Sequence, residues 1–207
     1  MNVDVVVYDG FDELDGIGPY EVFDHAFAVD AADAGRVRYV TLDERETVTA
    51  SHGTRVGVDG ALPDPTAANA PDLLVVPGGG WSARDEEASA WAEAQRGDLP
   101  DALARYHDAD VTIASVCTGS MLLAEAGVTD GRRAVTHASA LDELRESGAR
   151  VVDARVVDDG DLITAGGITS GIDLALYLLE REFGEPTAAR VATVLEYERR
   201  GDVAGPA

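Results

Sequence analysis

The sequence predicts an α/β fold, a doubly wound parallel sheet sandwiched by helices, and three observations carry that prediction. Short β-branched runs, such as residues 72–76 and 111–116, read as strands buried on both faces. Segments with helical spacing alternate with these runs along the chain. Three runs end in abrupt turns: Asp9-Gly10-Phe11, Pro77-Gly78-Gly79-Gly80 and Cys117-Thr118-Gly119. In such a sheet, ligands bind in the crevice beyond the strand carboxyl ends, so function is expected at those turns.

Residues 3–8 supply the first strand. Pro19-Tyr20-Glu21-Val22-Phe23 then opens an amphipathic helix, with proline at an early position that a helix tolerates. Residues 36–42 form the next strand, and 47–50 with 55–58 a short antiparallel pair. The strand at 72–76 is cut off by Pro77 and the glycine run. A helix over 99–107 leads into the strand before Cys117, and Met121, Leu122, Ala124 and Glu125 fill the first turns of the helix after it. A helix is expected over 138–147 and short strands over 150–152, 155–157 and 162–164. Two helices, 170–183 and 187 to roughly 198, close the chain. There is no internal repeat, and 207 residues suit one domain spanning 1–207.

The charge balance excludes several classes of partner. Against 39 acidic residues stand 16 basic ones, all arginine, for a net charge of −23. Nucleic acid and anionic membranes are therefore not expected partners. In molar salt the Debye length falls to about 3 Å and self-repulsion is screened. An acidic, lysine-free chain of this kind resembles proteins of salt-in halophiles. One cysteine rules out an intramolecular disulfide and fits a reducing compartment. The N-terminus lacks a basic leader, and no window approaches the length of a membrane span, so a cytoplasmic protein is expected.

Cys117 stands on a strand-to-helix turn, where the sulfur would face the crevice and the helix N-terminus would lower its pKa. Gly119 and Ser120 are small enough for the turn to close, as in a nucleophile elbow. Gly79 and Gly80 bring backbone N–H groups near that thiol, and with the Thr118 N–H they suggest an oxyanion-type hole. A phosphate cradle is excluded, since no GK[ST] or GxGxxG pattern follows. Asp15 reads either as a turn or N-cap aspartate or as a carboxyl facing the thiol, held protonated by desolvation. His137, at the end of a short strand-like run, reads as a cap for the next helix. Thr169 reads as a pocket residue with Ile168 and Ser170, or as a helix cap. His25, His52 and His107 lack metal-ligand spacing, so neither a metal nor another cofactor is expected.

Four segments together resemble the ThiJ/PfpI superfamily, with its class I glutamine amidotransferase-like fold. They are Leu14-Asp15-Gly16-Ile17-Gly18-Pro19-Tyr20-Glu21-Val22-Phe23, Leu74-Val75-Val76-Pro77-Gly78-Gly79, Ala114-Ser115-Val116-Cys117-Thr118-Gly119-Ser120 and residues 164–173. The resemblance runs in order over nearly the whole chain, and implies a flavodoxin-like sandwich and a homodimer. Protease-like members place histidine directly after the cysteine, whereas this chain has Thr118, which argues against peptidase activity. Many members carry a glutamate near the end of the first strand, where this chain has Asp15. The LD-x-x-GP-x-EVF pattern with Cys117-Thr118-Gly119 looks like the isonitrile hydratases and the ligand-binding half of AraC-type regulators. Carried over, the resemblance implies Cys117 as nucleophile, Asp15 as general acid/base and Thr118 as their essential neighbour. It also offers His137, where relatives often have a histidine near the pocket, as a substrate-binding residue or base. The sequence ends soon after Arg200, without room for a helix-turn-helix domain, so a stand-alone enzyme acting on a small molecule is expected. The leading expectation is hydration of an isonitrile to an N-substituted formamide through a covalent thio-intermediate. The alternatives are a glyoxalase-like activity on α-oxoaldehydes, or a redox and stress-response role for an oxidisable thiol.

Overall fold

The first strand, β1 (Asn2–Val6), is buried from Val3 onward in the computed structural model, which describes residues 1–29, 35–201 and 203–205. Helix α1 (Glu13–Val29) follows after a short turn. It begins six residues before the position expected from Pro19, which instead lies inside it. Proline and two glycines are poor helix residues, but packing overrides propensity here. A Cβ on Gly16 would come within 2.7 Å of the Phe11 ring, and one on Gly18 within 3.3 Å of Ile172. The early start places Asp15 inside the first turn of α1.

Strands β2 (Arg36–Thr41), β3 (Thr47–Thr49), β4 (Arg55–Gly57) and β5 (Gly60–Ala61) come next, with β3 and β4 paired antiparallel as expected. The fully buried β6 (Leu73–Val76) leads to α2 (Ala90–Arg96) and α3 (Asp98–Asp108). Helix α2 was not foreseen; Ser89 caps its start, accepting from the Ala92 N–H at 3.1 Å, and Gly97 ends it at φ +85°. Then follow β7 (Thr112–Val116), α4 (Gly119–Glu125), β8 (Arg133–Ala134), α5 (Leu141–Glu146) and β9 (Arg150–Val151). The last elements are β10 (Val156–Asp158), β11 (Leu162–Ala165), α6 (Ser170–Phe183), α7 (Glu185–Val194) and β12 (Val203–Ala204). Helix α7 stops four residues short of the expected end, and the chain turns back so that β12 pairs with β10. Arg155 lies before β10 rather than within it, and its side chain reaches Asp173.

Among the described residues the main sheet has eight strands in the order β12-β10-β11-β7-β6-β1-β2-β5. Its pairs are parallel except β10 with β11. Helices α1, α6 and α7 pack together, as do α2, α3 and α4, giving the predicted layers. The winding reverses between β1 and β6, so the turns after β1, β6 and β7 meet at the switch point. No described helix is long and apolar enough to cross a membrane.

Candidate active site

Cys117 links β7 to α4 at φ +57°, a left-handed conformation that costs a non-glycine residue about 1–3 kcal/mol. Its neighbours hold it there. The Cys117 N–H donates to the carbonyls of Ala165 (3.1 Å) and Gly166 (2.8 Å), and its own carbonyl accepts from Thr136 Oγ1 at 2.9 Å. A Cβ on Gly119 would come within 2.1 Å of the Val76 carbonyl oxygen, so the elbow can close only over glycine. Behind it, Ser120 Oγ lies 2.7 Å from Ser115 Oγ and donates to the Val135 carbonyl at 2.7 Å.

The sulfur is nearly sealed from solvent, with Cys117 6% exposed. Backbone N–H groups of Ile168 and Thr118 face it, and the Asp15 side chain lies within hydrogen-bonding reach. Asp15 is fully buried. Its Oδ2 accepts from the Gly78 N–H at 3.1 Å, while Oδ1 receives no N–H donor among the described residues. Burial first, and then the charge of Asp12, push the Asp15 carboxyl up to about 8. Asp15 is thus no helix cap but an acid holding its proton at neutral pH. Among the described residues no cation contributes to its environment.

The thiol departs from expectation. Burial, followed by the charge of Asp15, pushes Cys117 up to about 12, while the N–H groups of Ile168 and Thr118 pull it down by less. A seven-residue helix has too few aligned peptides to outweigh the loss of water around the sulfur. Below pH 8 Asp15 is neutral and its charge no longer opposes the thiolate, so the two groups act as one proton-holding pair.

In the glycine run the first two N–H groups are already committed, among them the Gly79 donor expected of an oxyanion-type hole, while Gly80 lines the cavity over Cys117. The Gly78 N–H is taken by Asp15, and the Gly79 N–H donates to Thr118 Oγ1 at 3.1 Å. A Cβ on Gly78 would lie 2.5 Å from the Thr118 nitrogen, and one on Gly79 2.5 Å from the Gly10 carbonyl oxygen. Close approach of three turns is what Gly78 and Gly79 allow. Tyr8 OH secures the run by donating to the Pro77 carbonyl at 2.9 Å.

Above the sulfur opens a cavity of about 280 Å³, lined by Cys117 and Thr118 together with Gly79, Gly80 and His137. His137 Nδ1 accepts from the Ser139 N–H at 3.2 Å and lies 2.8 Å from Ser139 Oγ, so it caps its own turn. Its ring packs against Gly167, where a Cβ would come within 2.8 Å of Cδ2. Thr169 does not line the cavity; its hydroxyl accepts from Arg155 Nη2 at 2.9 Å. Asp12 and Trp81 do line it and were not singled out from the sequence. Trp81 Nε1 donates to Glu143 Oε2 at 3.0 Å, and its ring meets Trp91 edge-on at 5.1 Å. The only sequence signal for Trp81 is its place directly after the glycine run. A second cavity of about 360 Å³ lies at the β1–β2 side, but its Arg45 is paired with Asp9 at 3.0 Å and its lining includes neither cysteine nor histidine. Among the described residues, no group of three histidine, cysteine or acidic side chains is placed to hold a metal.

A family model described as the DJ-1/PfpI family matches residues 1–181. An isonitrile hydratase of Pseudomonas putida is 35% identical over 202 residues, covering 95% of this chain and 78% of that protein. A deglycase of Thermococcus kodakarensis is 28% identical over 165 residues, covering 80% of this chain and 89% of its own. Among solved structures, a ThiJ/PfpI family protein from Pseudomonas syringae superposes with a TM-score of 0.81 at 26% identity, covering 96% of this chain and 76% of that one.

Proposed function

The chain belongs to the DJ-1/PfpI family, and from that premise we propose that it is a cysteine-dependent hydratase that converts isonitriles to N-substituted formamides. The observation that carries this reading is the buried pair of Cys117 and a neutral Asp15 at the floor of a small cavity. The likeness to the Pseudomonas putida isonitrile hydratase supports isonitriles as the substrate class.

An isonitrile has a terminal carbon that must gain both a proton and a nucleophile. Asp15 gives its proton to that carbon while a sulfur lone pair of Cys117 forms the S–C bond. The thiol proton passes to Asp15 and restores the acid, so a thioimidate, R–N=CH–S, forms with no net proton change. A thiol that resists ionisation suits this exchange, because the proton leaves sulfur as the S–C bond forms. Water then adds to the thioimidate carbon, with its proton delivered to nitrogen. The C–S bond breaks, the sulfur takes back a proton, and the formamide leaves. Thr118 supports the floor by holding Gly79, and its N–H faces the sulfur throughout.

The test is formamide formation from a simple alkyl isonitrile. Wild-type protein should turn over, Cys117→Ser should not, and a mass increase equal to the isonitrile should be trapped on Cys117 at early times. If an α-oxoaldehyde is converted to a hydroxy acid and isonitriles are not, the proposal fails in favour of the glyoxalase-like chemistry.

A further inference from the structure

The cavity over Cys117 has an uneven charge. Of its lining residues Asp12 is the one acid, and none is arginine. His137 is the one other charge-bearing candidate besides the thiol, and its Nδ1 is committed as an acceptor to the Ser139 N–H. Arg84 follows the wall residues Ser82 and Ala83 but is drawn elsewhere. Its guanidinium stacks 3.6 Å from the Trp91 ring centroid and pairs with Glu143 at 2.8 Å.

Asp12 is also fixed in place. Its N–H donates to the Gly78 carbonyl at 2.8 Å, its carbonyl accepts from the Asp15 N–H at 3.1 Å, and its Oδ1 accepts from the Leu14 N–H at 3.2 Å. The carboxylate therefore stays at the cavity wall when a substrate enters. An anionic substrate would bring a second negative charge beside it, with no arginine among the lining side chains to offset the repulsion. His52, whose charge Asp12 favours, lies outside the lining and is held by Glu13.

We propose that Asp12 is a specificity-determining residue that restricts Cys117 to uncharged or cationic electrophiles and turns away carboxylates and phosphates. This rests on the reading of Cys117 as the reactive group, but not on isonitriles being its substrate. Beside Asp12 the wall carries Trp81, Ala83 and Ile168 together with the uncharged hydroxyls of Ser82 and Ser139, so an uncharged reacting group with a compact substituent fits best.

Iodoacetamide and iodoacetate share a leaving group and differ in charge, so their rates at Cys117 measure the filter without any turnover. Both are applied to the full chain at pH 7, in 1 M potassium chloride, where the Debye length of about 3 Å screens the long-range effect of the overall negative charge. Intact mass follows the single adduct. The preference for iodoacetamide at Cys117 should exceed that of free cysteine in the same buffer by about tenfold. Asp12→Asn, which keeps the acceptor for Leu14, should lower that preference several-fold. Because both reagents meet the same thiol, the ratio cancels any change in thiol reactivity that follows from removing the Asp12 charge beside Asp15. Asp12→Glu should retain it. A wild-type preference equal to that of free cysteine, or one unaltered in Asp12→Asn, overturns the proposal. Failure of isonitrile hydration would leave these ratios standing.

Discussion

Asp15 and Asp173 are both buried aspartates in the first turns of helices, α1 and α6, yet the chain treats them in opposite ways. Asp173 is surrounded by donors. Its Oδ2 accepts from Arg155 Nε at 2.5 Å and Tyr197 OH at 2.8 Å, and its Oδ1 from the Arg200 N–H at 2.9 Å. Asp4 is likewise held by two bonds from Arg38, at 2.9 and 2.7 Å, across β1 and β2. Asp15 has one backbone N–H, a thiol and no cation. Burial is common to all three, so burial does not mark the site. The missing cation does, because it leaves an acid that keeps its proton where the chemistry needs one.

The contrast can be broken at either end. The largest effect is expected from Asp15→Asn, which keeps the volume of the side chain but cannot deliver a proton. General acid–base help is worth about 10²–10⁴ in rate, so isonitrile turnover should fall by that range while the fold persists by circular dichroism. Retention of near wild-type turnover would make Asp15 structural.

The second effect belongs to the other aspartate. Arg155→Met would strand Asp173 as a buried, unpaired charge, which costs about 3–5 kcal/mol of stability by denaturant titration. Arg155 also donates to Thr169, beside the Ile168 N–H that faces the sulfur. Slower Cys117 alkylation should therefore accompany the stability loss, but a stable Arg155→Met protein would show that the pair is not what holds this corner.

A smaller effect separates the two aspartates by pH. The folded Asp15 holds its proton up to about 8, whereas an unfolded aspartate releases it near 3.8. Between those values the folded state binds the extra proton, so the Asp15 contribution to stability declines as pH rises and levels off above pH 8. Asp15→Asn should remove this decline, gaining on the wild type in melting temperature between pH 4 and 8. An unchanged difference across that window would contradict the raised carboxyl.

Salt should distinguish the two regions least. The net charge of −23 is spread over the chain, and its repulsion is screened in molar potassium chloride. The melting temperature should rise with salt in the wild type, Asp15→Asn and Arg155→Met alike. A salt-independent melting temperature would count against a halophilic origin.

Much of this contrast was visible in the sequence, and its limits are instructive. The three turns at the strand ends, the elbow at Cys117 and the succession of the main strands along the chain follow from apolar runs and their abrupt stops, whereas the order of strands across the sheet comes from the structure. The two roles open to Asp15 were not separable, because the choice depends on where α1 begins, and Pro19 is a misleading start signal when Phe11 and Ile172 pack against Gly16 and Gly18. The direction of the thiol shift was missed for a related reason. A helix terminus beside a cysteine is local and legible, whereas the burial and the carboxyl that oppose it come from distant parts of the chain. Helix α2 and strand β12 are too short to leave a periodic pattern. Thr169 shows the reverse error: its place before a helix suggested a pocket or a cap, and only the structure shows Arg155 claiming its hydroxyl.

The central claim is that Asp15 is a neutral acid at physiological pH, and infrared spectroscopy tests it most directly. The wild-type minus Asp15→Asn difference spectrum should contain the C=O stretch of one protonated carboxyl at pH 7, disappearing with a midpoint near 8 as the pH is raised. A difference spectrum that shows only an ionised carboxylate at pH 7, with the protonated band confined to below pH 5, would contradict the account.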